Sequence, residues 1–291
     1  MAAHGPELTA SDPMTEPWRM SLEHTTVFSY GTAARSSFNE VRMIPLTTPR
    51  QVTMTAQVTT SPASGQYRYW DYWGTQVVAF DVVDPHDALE IRASAIVDTS
   101  SFSAPAVCTW REVEAAGPAM FEFLAPTAYT RPDGRLMPAA EQLRRSAPTE
   151  TVEAVCEWVN SSIEYQPGVT GVHTSASEAL EAGQGVCQDF AHVTVALLRH
   201  TGIPARYVSG YLHPAPEPVV GETVEGQSHA WIEVWTGGWW EVDPTNLVPV
   251  GPRHVTVARG RDYGDVSPVK GIYAGGDSDS MTTTVAIQRS R

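Results

Sequence analysis

Cys187, His229 and Asp243, three residue types that combine in nucleophilic catalysis, stand in that order along the second half of the chain. Cys187 opens a stretch with helical spacing (Phe190, Ala191, Thr194, Val195, Leu198), entered through Gly183-Gln184-Gly185-Val186 and closed by Gly202 and Pro204. At the first turn of a helix, unpaired amide donors and the helix dipole favour an anion, so a thiolate forms most easily there. His229 and Asp243 lie on two alternating runs, Ser228 to Trp235 and Trp239 to Asp243, separated by the hairpin turn Thr236-Gly237-Gly238. The position mirroring His229 across that turn is about 245, so Asp243 falls within one or two places of it on the neighbouring strand. A carboxylate so placed holds one imidazole nitrogen as a donor and leaves the other for a thiol, the nucleophile, base and orienter logic of acyl transfer.

Each residue taken singly has a plainer role: Cys187 on an apolar stripe, His229 as a hydrogen-bonded strand residue, Asp243 as a turn-starting residue before Pro244. All three in order, each on the element the chemistry needs, favour a site. His192 follows Cys187 by five positions, which on a helix turns it roughly 140° away. Asp189 reads as a residue that fixes the first helical turn, and His173, His200, His213 and His254 fall on loops or element ends without ligand spacing. A zinc site from Cys187, His229, Asp243 and one more histidine has no paired Cys or His motif behind it, and neither metal nor other cofactor is expected. An acyl-transfer site also needs oxyanion donors. The Cys187 backbone amide is the natural first, with Gln184 and Tyr165 as candidates for the second. Trp231 and Trp240 are candidate walls of a substrate channel, core packing being their plainer role.

The elements that must position these residues are legible in the pattern. Residues 1–17 are polar and aperiodic and read as a flexible lead-in. Residues 18–100 alternate with period two, interrupted by Thr48-Pro49, Pro62 to Gly65 and Asp84-Pro85-His86, and read as a β-rich N-terminal domain. Residues 101–148 read as an ordered connecting segment. The catalytic domain spans 149–275, with a helix through Val152, Val155, Cys156, Val159 and Ile163, and a capping box at Ser175-Ala176-Ser177-Glu178. Strands follow from Ile203, so helices come first and strands after, an α+β fold. Residues 276–291 are a tail in which Thr283 to Ile287 could add an edge strand.

Composition narrows the function. The chain of 291 residues carries 33 acidic against 19 basic residues, a net charge of -14, with no polybasic block, so nucleic acid is not an expected partner. No stretch reaches the ~20 apolar residues of a membrane span. The start has neither a basic leader nor an apolar run, so the expected location is cytoplasmic. Three cysteines are too few for a disulfide framework, and Lys270 is the single lysine, leaving little amine for self-crosslinking.

Four blocks resemble the core of the transglutaminase-like superfamily: Gly183 to His192, Ile203 to Tyr211, Ser228-His229-Ala230-Trp231, and Trp240-Glu241-Val242-Asp243-Pro244-Thr245-Asn246. Arg259 to Pro268 is similar to the signature that follows the core in the bacterial branch. Phe38-Asn39-Glu40-Val41-Arg42 and Asp71-Tyr72-Trp73-Gly74 are similar to its β-rich N-terminal domain. The resemblance implies a papain-like core with helices packed on an antiparallel sheet, and a thiol, imidazole and carboxylate triad mapping onto Cys187, His229 and Asp243. It further implies a thioester intermediate formed on a peptide or glutamine-type carboxamide of a peptide or protein substrate. Resolution by water makes a peptidase or amidase, the expectation here. Resolution by an amine makes a transglutaminase or amide ligase, and a non-catalytic peptide-binding module is the remaining alternative.

Overall fold

A computed structural model describes residues 17–100, 104–276 and 278–291, so the lead-in up to residue 16 lies outside the described residues. The first half folds as strands β1 (Trp18–Ala34), β2 (Ser36–Val41), β3 (Gln51–Ser61), β4 (Gln66–Trp70), β5 (Gln76–Val82) and β6 (His86–Thr99). Alternation sets their faces: Met20, Leu22, His24 and Thr26 of β1, and Leu89, Ile91, Ala93, Ala95 and Val97 of β6, are buried. The middle holds α1 (Trp110–Ala116), a 3₁₀ stretch (Gly117–Phe123), α2 (Leu136–Leu143), α3 (Pro148–Ser162), β7 (Glu164–Tyr165), α4 (Ala176–Ala182), β8 (Gln184–Gly185) and α5 (Cys187–Thr201). The chain ends with β9 (Ala205–Leu212), β10 (Thr223–Glu225), β11 (Gln227–Trp235), β12 (Trp239–Asp243), β13 (Val248–Pro249), β14 (His254–Gly260), α6 (Tyr263–Val266), β15 (Val269–Ala274) and β16 (Ser278–Arg289).

Two sheets form the N-terminal region, one ordered β10-β16-β1-β6-β3 and one ordered β15-β2-β5-β4. Tyr30, Val58, Leu89 and Ile91 from the first and Val41, Val78, Phe80 and Val82 from the second share one apolar core. A third sheet, β13-β12-β11-β9-β14, is antiparallel throughout and carries the hairpin. Helix α5 packs on it: Phe190, Val193, Leu197 and Leu198 share a core with Tyr207, Ile232 and Val234. Helix α5 is buried around almost its whole circumference, as expected of a central helix. The chain is therefore of the α+β class, with helices packed on an antiparallel sheet behind a β-rich region.

Three features differ from the linear pattern. The 101–148 segment contains helices, and Leu136, Ala140 and Leu143 of α2 are buried in the main core. Strand β15 pairs with β2, which returns residues 269–274 to the N-terminal sheets. The final strand is no edge, since β16 lies between β1 and the short β10. Alternation reveals that a segment is a strand but not which neighbours it will find. Among the described residues no helix is long and apolar enough to cross a membrane.

Candidate active site

Cys187 is the first residue of α5, half-buried at the end of the two-stranded β7-β8 ladder. Asp189 holds that helix start: its Oδ2 accepts from the Val186 N–H at 2.7 Å and from the Thr170 hydroxyl at 2.6 Å. Gly185 is required there, because a Cβ would lie 2.7 Å from the same carboxylate oxygen. His192 has other partners. It is buried between Tyr129 and Tyr207 and accepts from the Tyr263 N–H at 3.1 Å, and burial with the nearby Arg199 charge pushes its pKa down to about 3.

His229 on β11 and Asp243 at the end of β12 are both buried, and His229 Nε2 lies 2.8 Å from Asp243 Oδ2. The Cys187 thiol also acts on the imidazole, as one of the causes that raise its pKa. With Nε2 turned to the carboxylate, Nδ1 is the nitrogen left for sulfur. Burial alone would lower the His229 pKa, but the hydrogen bonds and charges of Asp243 and Cys187 outweigh it and raise it to about 10.

Asp243 serves two sets of donors, one oxygen each. Oδ1 caps the turn, accepting from Thr245 N–H at 3.0 Å and Asn246 N–H at 3.1 Å. Oδ2 accepts from His229, from the Asn246 side-chain amide at 2.8 Å and from His254 Nε2 at 3.3 Å. A carboxylate with no solvent exposure survives ionised only with such a complement of donors. Burial pushes its pKa up, and these partners reverse that and hold it far below the usual carboxylate range. Residue type and spacing alone do not single out His254 or Asn246. Asn246 follows Asp243 by three residues, where a capped turn returns its side chain to the carboxylate. His254 carried no local signal, since the β14–β9 pairing brings it in.

Among the oxyanion candidates, the Cys187 amide sits at the first position of α5. Tyr165 lies within charge reach of the thiol and is about half exposed; burial first, and Cys187 second, raise its pKa. Gln184 is half-buried on β8, the strand paired with that of Tyr165. The tryptophans are enclosed instead of lining an open channel. Trp231 is 0 % exposed, with its ring stacked on His229 at 5.9 Å, and Trp240 is in the core and donates to the Thr236 hydroxyl at 2.8 Å. Gly210 makes room for Trp231, since a Cβ there would lie 2.5 Å from the indole and 2.1 Å from the Val255 carbonyl.

The N-terminal region braces this sheet at β14. Gln51 donates to the Thr256 carbonyl at 2.8 Å and accepts from the Thr256 N–H at 2.8 Å. Nearby, Glu233 accepts from Arg206 and from Arg259 Nε at 2.6 Å, while Arg50 pairs with Glu241.

Comparison with known proteins agrees with this architecture. Residues 138–244 match the family described as the transglutaminase-like superfamily, and residues 20–98 match the bacterial transglutaminase-like N-terminal region. An uncharacterised protein of Mycobacterium leprae is 46 % identical over 277 residues, covering 94 % of this chain and 99 % of the relative. An uncharacterised protein of Mycobacterium tuberculosis is 32 % identical over 298 residues, covering 94 % of each. A solved structure from Cytophaga hutchinsonii, described as a candidate cysteine protease, superposes with a TM-score of 0.76 at 24 % identity, covering 94 % of this chain and 92 % of that one, and shows the shared fold. With a matching core, a matching N-terminal region and full-length relatives, this chain belongs to the transglutaminase-like superfamily.

Proposed function

We propose that the protein is a cysteine acyl-transfer enzyme with a Cys187–His229–Asp243 triad, acting on peptide or protein carboxamides and resolving its thioester with water. The observation that carries this reading is the buried His229–Asp243 pair at 2.8 Å, with Cys187 acting on the same imidazole. The thiolate adds to the carbonyl carbon and the imidazolium proton passes to the leaving nitrogen, so the amine departs and a thioester remains on Cys187. Neutral His229 then takes a proton from water, the hydroxide adds to the thioester carbonyl, and the carboxylic acid leaves as the thiolate is restored. The Cys187 amide at the start of α5 is the first oxyanion donor, with Tyr165 or Gln184 as the second.

Two observations favour water as acceptor. Cys187 is half-buried and so open to solvent on one side, and the single lysine, Lys270, is engaged with the Gly264 carbonyl. The test is incubation with glutamine-containing peptides and peptide amides, with and without a primary amine, read by mass. Acid product in both arms supports the hydrolase; amine adduct as the main product makes the enzyme a transglutaminase. No turnover, with Cys187 alkylation slow and indifferent to His229→Ala, would leave a peptide-binding module on the same fold.

A further inference from the structure

His254 is the first residue of β14, and its imidazole is enclosed between Asp243 and the Trp231 ring, which meets it edge-on at 5.3 Å. The main chain fixes which nitrogen carries the proton. The Gly251 N–H points at Nδ1 from 3.3 Å, so Nδ1 accepts and the hydrogen resides on Nε2. That N–H donates to Asp243 Oδ2 at 3.3 Å. The Gly251 donor belongs to a turn closed by the His254 N–H on the Gly251 carbonyl at 2.9 Å, so the tautomer cannot invert without breaking main-chain geometry. Burial lowers the His254 pKa, against the opposing pull of Asp243.

We propose that His254 is a positioning residue of the site, an Nε2–H donor that holds the Asp243 carboxylate on His229, and that it does not serve as a metal ligand. This rests on the triad reading above. The competing use of the same atoms is a cation site, since one ligand atom each from His229, Asp243 and His254 lie within 4.8 Å of one another. Two imidazoles and a carboxylate are a donor set that zinc accepts. Metal on His254 Nε2 would require that nitrogen bare, moving the proton to Nδ1, where it would meet the Gly251 N–H head-on. Metal on His229 Nε2 would likewise displace the bond to Asp243. The geometry suits protons and opposes a cation.

The charged and titratable groups facing this pair are His229 from β11, Cys156 from α3, Arg253 from the turn before β14, and Cys187 beyond His229. All remain in the His254 variants below. The experiment is site-resolved alkylation of Cys187 by iodoacetamide between pH 4 and pH 9 in the native protein, His229→Ala, His254→Phe and His254→Gln, with thermal melts as a check on folding. In His254→Phe the carboxylate loses one donor and holds the His229 imidazolium less firmly, so the pair that activates Cys187 gives way, and fast alkylation is lost, earlier on acidification. The rate at pH 5 should fall about tenfold against the native protein while the rate at pH 8 changes about twofold or less. His254→Gln, which keeps an N–H at the same reach, should restore the native profile. If the phenylalanine variant melts early, His254→Asn, too short to reach Asp243, carries the same expectation.

A native profile in His254→Phe or His254→Asn overturns the proposal, because a packing role would leave the pH dependence in place. Slow native alkylation indifferent to His229→Ala overturns the triad and this proposal with it. Zinc titrated calorimetrically into chelator-treated native protein should give no binding. Stoichiometric binding that His254→Gln abolishes would make the cluster a metal site instead.

Discussion

Gln51 closes its side-chain amide on both backbone groups of Thr256, Nε2 to the carbonyl and Oε1 to the N–H, each at 2.8 Å. The same Nε2 donates to the Leu46 carbonyl at 2.6 Å. The clamp sits at the irregularity in the β14–β9 ladder between Thr256 and Ala258, where regular pairing lapses, and two residues from His254. The N-terminal region is therefore built into the sheet that carries the site. Gln51→Ala strips buried main-chain groups of their partners and should lower stability by about 1–3 kcal/mol, read as a lower midpoint in a urea melt. An unchanged midpoint would mean that Thr256 finds other partners.

Asp243→Asn keeps the shape and the turn-capping oxygen but removes the charge that His229 faces. Turnover of a peptide amide should drop by about 10²- to 10⁴-fold with near-UV dichroism preserved. Native turnover in this variant would reduce Asp243 to a turn residue.

The pH dependence of stability has a definite sign. His229 rises from 6.5 to about 10 on folding, so its contribution is complete below pH 6.5 and fades as pH climbs towards 10. Asp243 is depressed below its ordinary 3.8, so its contribution is present above that value and fades on acidification. The gap in melting temperature between the native protein and His229→Gln should be widest between these limits and narrow from pH 6.5 to pH 10. A gap constant across that range would refute a charged His229 at rest.

Gly210→Ala places a methyl group 2.1 Å from the Val255 carbonyl and 2.5 Å from Trp231, the ring stacked under His229. Backbone and a locked indole cannot yield cheaply. The variant should lose about 1–3 kcal/mol or more of stability, measured by denaturant melts, and should slow Cys187 alkylation as the imidazole support shifts.

The three thiols should separate by reactivity. Cys156 is buried on α3, and burial raises its pKa; burial and Glu112 raise that of Cys108. Peptide mapping after brief iodoacetamide treatment at pH 6 should find label on Cys187 about tenfold or more ahead of the others. Equal labelling would remove the case for an activated thiol.

The amino-acid pattern by itself determined what is local. Helical spacing after Gly185 set Cys187 at a helix start, and alternation around Thr236-Gly237-Gly238 set His229 and Asp243 on adjoining strands, because turn chemistry and side-chain periodicity act over a few residues. Capping by Ser175 and Glu178, and the stop at Gly183 with its positive φ of 64°, were legible for the same reason. Tertiary structure alone decided which distant segments meet. His254 reaches Asp243 only because β14 pairs with β9, Gln51 reaches Thr256 across 205 positions, and β16 returns to pair with β1. An alternating strand presents the same unpaired edge to any partner, and the choice is made by the packing of whole sheets, which no short window of residues contains.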